Sequence, residues 1–439
     1  MAYTYLILLY LMLGAALITV LKRPAKLFQF PYFMSLGFTA FIAPQALALA
    51  RFSGGVRPES VDSVLLMSCL CFLACILGYS YKPKPAMCRM LITKINMSRL
   101  FAVGVIYILI GYVMAYYLNG LDVEFSTRGG MTGDGTILLF FGGLIYPGFA
   151  IALFCALKQA TPTNVIASIA GFVPLVQIAA NGRRESLAIL VIAIALPAYF
   201  ERRMVPPRAV IVGMIILVTL LIPATGQYRT LVARGEQGHA FELIDFLDQF
   251  EQSLSEESSL ELRNGAAIIE SVSQSGNFEY GRAYWNHVVF RFVPAQYLGA
   301  DFKRNLMLDT WDVNTNGGTE HGIKFVVGST ITGMGDSFLQ FGWLGWIVFA
   351  AMAALFRFLW EAAILPDGIM IRIFYTLTIT TALRAVTHWT LDFIPGLLYY
   401  GLFVGIAAFA ARAQRGRDKS LVGREGFTTG VTLGCESLR

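Results

Sequence analysis

Charge is what this chain lacks most. Only 14% of its residues are Asp, Glu, Lys or Arg, against about 25% in a soluble domain. Hydrophobic residues make up 56% and the mean hydropathy is +0.61, a balance that excludes a water-soluble globular fold. Histidine is nearly as scarce, with four in 439 residues. The chain has no His-Glu-x-x-His pattern, no tandem Asp-rich ligand run, no P-loop lysine motif and no Gly-x-Ser-x-Gly elbow, so the common signatures of metallohydrolases, NTPases and serine hydrolases are missing. Gly333-Met334-Gly335 follows no strand and is not a dinucleotide fingerprint. Cysteine is sparse too: none of the six falls in 225–337, so that segment is not a disulfide scaffold. Cys69, Cys71 and Cys75 lack zinc-type spacing and, like Cys155, read as small core hydrophobes, while Cys88 and Cys435 lie in basic segments.

What is abundant is long apolar sequence. A helix needs about 17 to 25 residues to cross about 30 Å of hydrocarbon. Such stretches occur near 3–21, 30–50, 61–81, 99–118, 136–157, 164–180, 185–200, 208–224, 338–360, 369–390 and 393–411. The expected fold is therefore all-α, a polytopic membrane protein of about eleven transmembrane helices, eight in 1–224 and three in 338–411. The first stretch runs too long, without a basic lead or a small-residue cleavage site, for a signal peptide, and is expected to be a permanent helix.

Lys and Arg gather in alternate connections: Lys22 to Lys26, Lys82 to Arg99, Lys158, Arg202 to Arg208, and Arg412 to Lys419. The positive-inside rule makes these cytoplasmic, with the amino terminus outside and the carboxyl terminus inside. The net charge of +6 thus reports topology and not nucleic-acid binding. The basic tail 412–439 has the composition of a disordered segment. The interruption at 225–337 is then an outer, periplasmic loop domain of short amphipathic helices lying on the membrane. Phe241, Ile244, Leu247, Phe250 and Leu254 recur at helical steps opposite Glu242, Asp245, Asp248 and Glu251. Further helices are expected at 260–274, ending at Gly276, and at 281–293, ending at Pro294, before a Gly-, Asn- and Thr-rich loop at 309–335.

Against this frame, Arg183 and Arg184 stand on the wrong side. The tight hairpin Asn181-Gly182-Arg183-Arg184-Glu185 is an outer connection, where positive charge opposes the insertion bias. Asn181 can cap the incoming helix, whose free N–H groups and positive dipole end then stand beside two guanidinium forks, a trap for phosphate. The competing reading is two arginines snorkelling to lipid phosphates. A second set, Arg384, His388 and Asp392, recurs at four-residue steps and would stack on one helix face with Thr381 a turn below; an interfacial salt-bridge ladder is the alternative. On the helix at 281–293, His287 and Arg291 share a face, with Arg282 nearby. Arg229 stands beyond the eighth span and Arg128 lies among Gly129, Gly130 and Gly133. Together these cations would line one outward cavity suited to a diphosphate.

The segments Arg291-Phe292-Val293-Pro294 through Lys303, Gly328-Ser329-Thr330, Gly335-Asp336-Ser337-Phe338 and Phe341-Gly342-Trp343-Leu344-Gly345 resemble the Wzy-type O-antigen or oligosaccharide repeat-unit polymerases of bacterial inner membranes. The topology, with one large periplasmic domain late in the chain, is similar, and Arg128, Gly182-Arg183-Arg184 and Arg384 match positions where such polymerases carry arginine. Gly328 stands where the family has proline, and Asp336 where it more often has Glu. The resemblance implies a GT-C-like architecture and a metal-independent glycosyltransferase needing no cofactor. It would move a glycan from undecaprenyl diphosphate to another lipid-linked repeat unit, with the lipid bilayer and a chain-length regulator protein as partners. In that scheme Arg184, Arg291, His287 and Asp336 are catalytic, and Arg128, Arg183, Arg229, Arg384 and His388 bind diphosphate and sugar. An O-antigen ligase with the same donor, or a transporter or flippase of lipid-linked oligosaccharide, is the alternative; against transport stand the unlike halves and the charges gathered at one face.

The orientation is directly testable. Reporter fusions after residues 95 and 205 are expected in the cytoplasm and one near 265 in the periplasm; a cytoplasmic signal at 265 overturns the orientation.

Overall fold

A computed structural model describes residues 1–121, 133–180, 184–234, 244–254, 260–310 and 330–413. The described chain is all-helical. In order come α1 (Ala2–Lys22), α2 (Phe30–Gly37), α3 (Ala43–Arg51), α4 (Pro58–Ser80), α5 (Pro85–Met90), α6 (Met97–Asn119), α7 (Asp134–Gly142), α8 (Ile145–Lys158), α9 (Pro162–Ala180), α10 (Arg184–Arg202) and α11 (Arg208–Ala233). Next are α12 (Phe246–Ser253), α13 (Leu260–Ser275), α14 (Arg282–Phe292), α15 (Ala295–Leu298) and α16 (Ala300–Leu306), and the series closes with α17 (Thr332–Phe341), α18 (Trp346–Ala363), α19 (Ile369–Thr387) and α20 (Phe393–Ala410).

Local chemistry explains many of the boundaries. Proline occupies the first turn of α2, α3, α4 and α5, where its missing N–H has no helical partner to lose. Asn96 caps α6 by accepting from the Arg99 amide at 3.1 Å, and Asp245 caps α12 by accepting from two amides. A π-helical turn at Phe38–Ile42 joins α2 to α3 as one apolar stretch.

Among the described residues, nine helical stretches are long and apolar enough to cross a membrane. They correspond to nine of the eleven expected spans. The other two are present as the helices α10 and α11, with Arg208–Ala224 the apolar part of α11. Large apolar side chains such as Ile7, Leu109, Ile166, Ile216 and Leu402 are exposed on the outside of the bundle, as a lipid-facing surface requires.

The basic connections gather at one end. There Phe28 stacks on Tyr199, Arg203 covers the Tyr199 ring, Glu201 pairs with Arg372 at 2.8 Å, and Asn96 donates to the Ala411 carbonyl. The opposite end carries the terminal amino group beside Asp62, the 52–57 connection and helices α13 and α14. The Arg57 amide and the Ser60 hydroxyl both donate to Glu270 of α13.

Three expectations about 225–337 are corrected. First, α11 passes the 224/225 boundary without a break, because Ala224 and Leu231 bury against Ile244 while Tyr228 and Phe246 pack beside them. Second, α13 is packed into the core of the bundle and is not laid on its outside. Leu262, Ala266, Ile268, Ile269 and Val272 are buried in the main core, and α13 packs on α4 and α17. Third, the ninth apolar stretch begins at Thr332, not 338. Thirty-two continuous helical residues would reach about 48 Å, too long for one crossing. The chain therefore breaks at Gly342, whose φ of +58° is open to glycine, and a short 3-10 turn leads into α18.

The depth of α17 depends on small residues. A Cβ on Gly333 would lie 1.9 Å from the Ala385 carbonyl oxygen, and one on Gly335 would lie 2.7 Å from the Gly265 Cα. The backbones of α13, α17 and α19 thus meet almost directly.

Candidate active site

The candidate site lies at the end of the bundle away from the basic connections, where α14 crosses the junction between α19 and α20. Pro395 dictates that junction: in a helix continuing from α19 its ring would strike the Leu391 carbonyl, and it offers no N–H. Instead α19 stops at Thr387, His388 and Trp389 leave the helix, and Thr390–Asp392 forms a 3-10 turn before α20.

A helix end inside an apolar bundle leaves amides without partners. Asp336, fully buried on α17, supplies one. Its Oδ2 accepts from the Thr390 amide at 2.7 Å and from the Thr390 hydroxyl. A carboxylate only accepts, so the Thr390 hydroxyl donates to it and takes the Tyr284 hydroxyl as donor at 2.5 Å. Burial holds the Tyr284 phenol well above its ordinary range, which keeps it a neutral donor. The chain Tyr284 to Thr390 to Asp336 ties α14, the turn and α17 together.

On α14, Tyr284, His287 and Arg291 recur at steps of three and four and form one stripe facing the turn. His287 Nε2 lies 2.8 Å from Asp392 Oδ1. Arg384 reaches the same carboxylate from α19, with Nη2 3.1 Å from Oδ2. Arg291 stands within Coulombic range of Asp392. The Asp392 side chain is 15% exposed and the His287 side chain 27%, so the cluster sits at the mouth of the bundle, open to a ligand on one side. One carboxylate against two arginines leaves the cluster cationic. The opposite side of α14 carries Trp285 and Asn286, which pin the chain at Leu306 and Leu308.

Two cavities flank the stripe. A groove of about 590 Å³ runs past Tyr280, Tyr284, Phe341 and Thr390 along Ile347, Ala351 and Leu355 of α18 and is almost wholly apolar. A smaller cavity of about 340 Å³ lies between α7 and the segment 290–303 and includes Arg291.

The expected site residues now divide. His287, Arg291 and Arg384 are brought together, with Asp392 as their common centre. Arg384, His388 and Asp392 do not share a helix face, because the helix ends before His388. The ring of His388 instead bonds the Thr387 hydroxyl through Nδ1 at 2.8 Å, and its amide closes α19 on the Arg384 carbonyl. Thr381 bonds its own helix and meets Gly396, away from the cluster. Asp336 is near but lines neither cavity, and its Oδ2 accepts both of its bonds from Thr390. Arg128 and Arg183 lie outside the described residues, as do Asn181, Gly328 and Ser329. Arg184 and Arg229 are described as backbone only.

By backbone position, Arg184 lies toward the same end of the bundle as Arg384. Antiparallel α10 and α19 meet at Glu201 and Arg372, and Arg184 and Arg384 stand about 25 Å and 18 Å from that contact, both toward the α14 side. Sequence reasoning did not find Tyr284 or Thr390. Tyr284 could have been noticed as the residue one turn before His287 on the same stripe; Thr390 carries no signal of its own.

Among the described residues no group of three His, Cys, Asp or Glu side chains gathers that could hold a metal ion. Comparison with protein-family models, curated proteins and solved structures finds no match to this chain.

The Thr390 node can be tested by stability. Thr390→Val keeps the shape but leaves the Tyr284 hydroxyl without its acceptor and Asp336 Oδ2 with the Thr390 amide alone, at a cost of about 1 to 3 kcal/mol. The Tm of the detergent-purified protein should fall accordingly. Thr376→Val, which removes a hydroxyl bonded only to its own helix at Arg372, should change it little.

Proposed function

We propose that this chain is a membrane-embedded polysaccharide polymerase that moves a glycan from undecaprenyl diphosphate onto a sugar of a second lipid-linked repeat unit. The reaction would take place at the periplasmic face of a bacterial inner membrane, in a bundle of about eleven spans. The observation that carries the reading is the convergence of His287 and Arg384 on Asp392, with Arg291 beside them, at the end of an apolar helical bundle. Lipid-linked diphosphate chemistry needs that combination: cations and a proton acceptor at the membrane edge, with apolar surface alongside for the tail.

The geometry supports the following roles. With Nε2–H donated to Asp392, the His287 ring is held in one orientation and its other nitrogen is the basic atom. That nitrogen takes the proton as the acceptor hydroxyl attacks the anomeric carbon. The carbon–oxygen bond to the diphosphate breaks and its electron pair leaves on the phosphate oxygen. Arg291 and Arg384 stabilise that charge as it develops, and Arg128, Arg183 and Arg184 are the further arginines expected to contribute. Asp392 orients His287 and Arg384 together, and Asp336 holds Asp392 in place through Thr390. Arg229 and His388 are the further residues expected to bind the headgroup. The products are a chain longer by one repeat and free undecaprenyl diphosphate; a chain-length regulator would act on this step from outside the cluster.

The purified protein with a lipid-linked repeat unit should give a ladder of products spaced by one repeat, and should keep doing so in EDTA. A single transfer to lipid A core without a ladder would mean a ligase, and no transfer at all would reject the enzyme reading. Arg291→Lys and Arg384→Lys keep the charge but lose the fork. Each should lower turnover about tenfold or more while the protein still accumulates; unchanged ladders would remove these residues from the site.

A further inference from the structure

The smaller cavity has a chemistry that the transfer reaction alone does not require. Its volume of about 340 Å³ is at the low end of ligand pockets, which span about 300 to 1,000 Å³, and is room for about one sugar ring. Phe140, Phe292 and Tyr297 supply aromatic surface. Phe140 and Phe292 meet edge to face at 5.9 Å, and the Phe140 carbonyl is held by Tyr399 at 2.8 Å, so this wall is fixed. Gln296 closes the rim on the Gly133 carbonyl.

Among the described residues that line it, the charged ones are Arg291 and Lys303 and none is a carboxylate. Lys303 is set in place: it donates to the Phe290 carbonyl at 2.8 Å and its ammonium rests 4.7 Å from the Phe290 ring centre. That uses one of its three N–H donors. Burial pushes its ammonium below the ordinary lysine range, as a charge partly stripped of water should be. The nearby Arg304 is already paired with Asp301. A planar guanidinium and a half-dry ammonium across an aromatic wall suit a ring with an apolar C–H face and one carboxylate.

We propose that this cavity is a subsite for an acidic sugar, a uronic acid or comparable carboxylate-bearing residue, and so sets the repeat unit's composition. The assignment rests on the polymerase reading for its biological meaning, but not for its test. The ring stacks on Phe292 and Tyr297 while its carboxylate lies between Arg291 and Lys303.

The test is binding without turnover, on the full chain in nanodiscs of zwitterionic lipid, read by saturation-transfer NMR. Methyl β-glucuronide should bind about tenfold or more tightly than methyl β-glucoside, and Lys303→Gln should remove most of that preference. Tyr297→Ala, at an exposed position that leaves the fold intact, should weaken both glycosides alike. Equal binding of the two glycosides overturns the proposal, as does a glucuronide preference that survives Lys303→Gln in a protein of unchanged Tm. Loss of glucuronide binding when anionic phospholipid is added would make a lipid phosphate the occupant and overturn it too. Failure of the polymerase reading has a different signature, an absent product ladder with the glucuronide preference retained.

Discussion

One hydrogen-bonded carboxylate holds the functional end of this molecule together. Asp336 is buried where an unpaired charge would cost several kcal/mol, and its Oδ2 accepts from both the amide and the hydroxyl of Thr390, in the turn where Pro395 forbids a helix. The break in the chain and the buried acid thus answer each other: the break frees donors, and the acid needs them. Because the turn is fixed, Asp392 two residues on has a fixed position. His287 and Arg384, from two different helices, can therefore meet on it.

The rest of the fold serves that placement. Asp336 reaches Thr390 only because α17 lies deep between α13 and α19, and that depth requires glycine at 265, 333 and 335. The α13 helix is itself anchored at Glu270 by Arg57 and Ser60, so the connection before α4 helps fix the layer on which the site rests. Through Tyr284 the same node sets the rotation of α14, which turns His287 toward Asp392 and Arg291 toward the smaller cavity.

Much of this was legible in the amino-acid pattern. Apolar runs located the long helices, Gly276 and Pro294 bounded α13 and α14, and four-residue spacing put His287 and Arg291 on one side of α14. The depth of α13 was harder to see. Leu262, Ala266, Ile269 and Val272 make an apolar stripe that fits a membrane surface as well as a core, and only the small residues Gly265, Ala266 and Ala267 signal close approach. Arg384 and Asp392 meet, but not by four-residue stacking on an unbroken helix: the pairing comes from a turn announced by Pro395. The role of Asp336 was unreadable, since its partner Thr390 is distant in sequence and has no distinctive pattern around it.

The central claim is that an anionic lipid-linked headgroup is bound at the Asp392-centred cluster. A cryo-electron microscopy structure of the full chain with undecaprenyl diphosphate tests it most directly. The account predicts diphosphate density within hydrogen-bond distance of Arg291 or Arg384, with the His287–Asp392 pair intact and the tail in the groove beside Tyr284. Density among the basic connections at the other end, near Arg202 and Arg208, would contradict it.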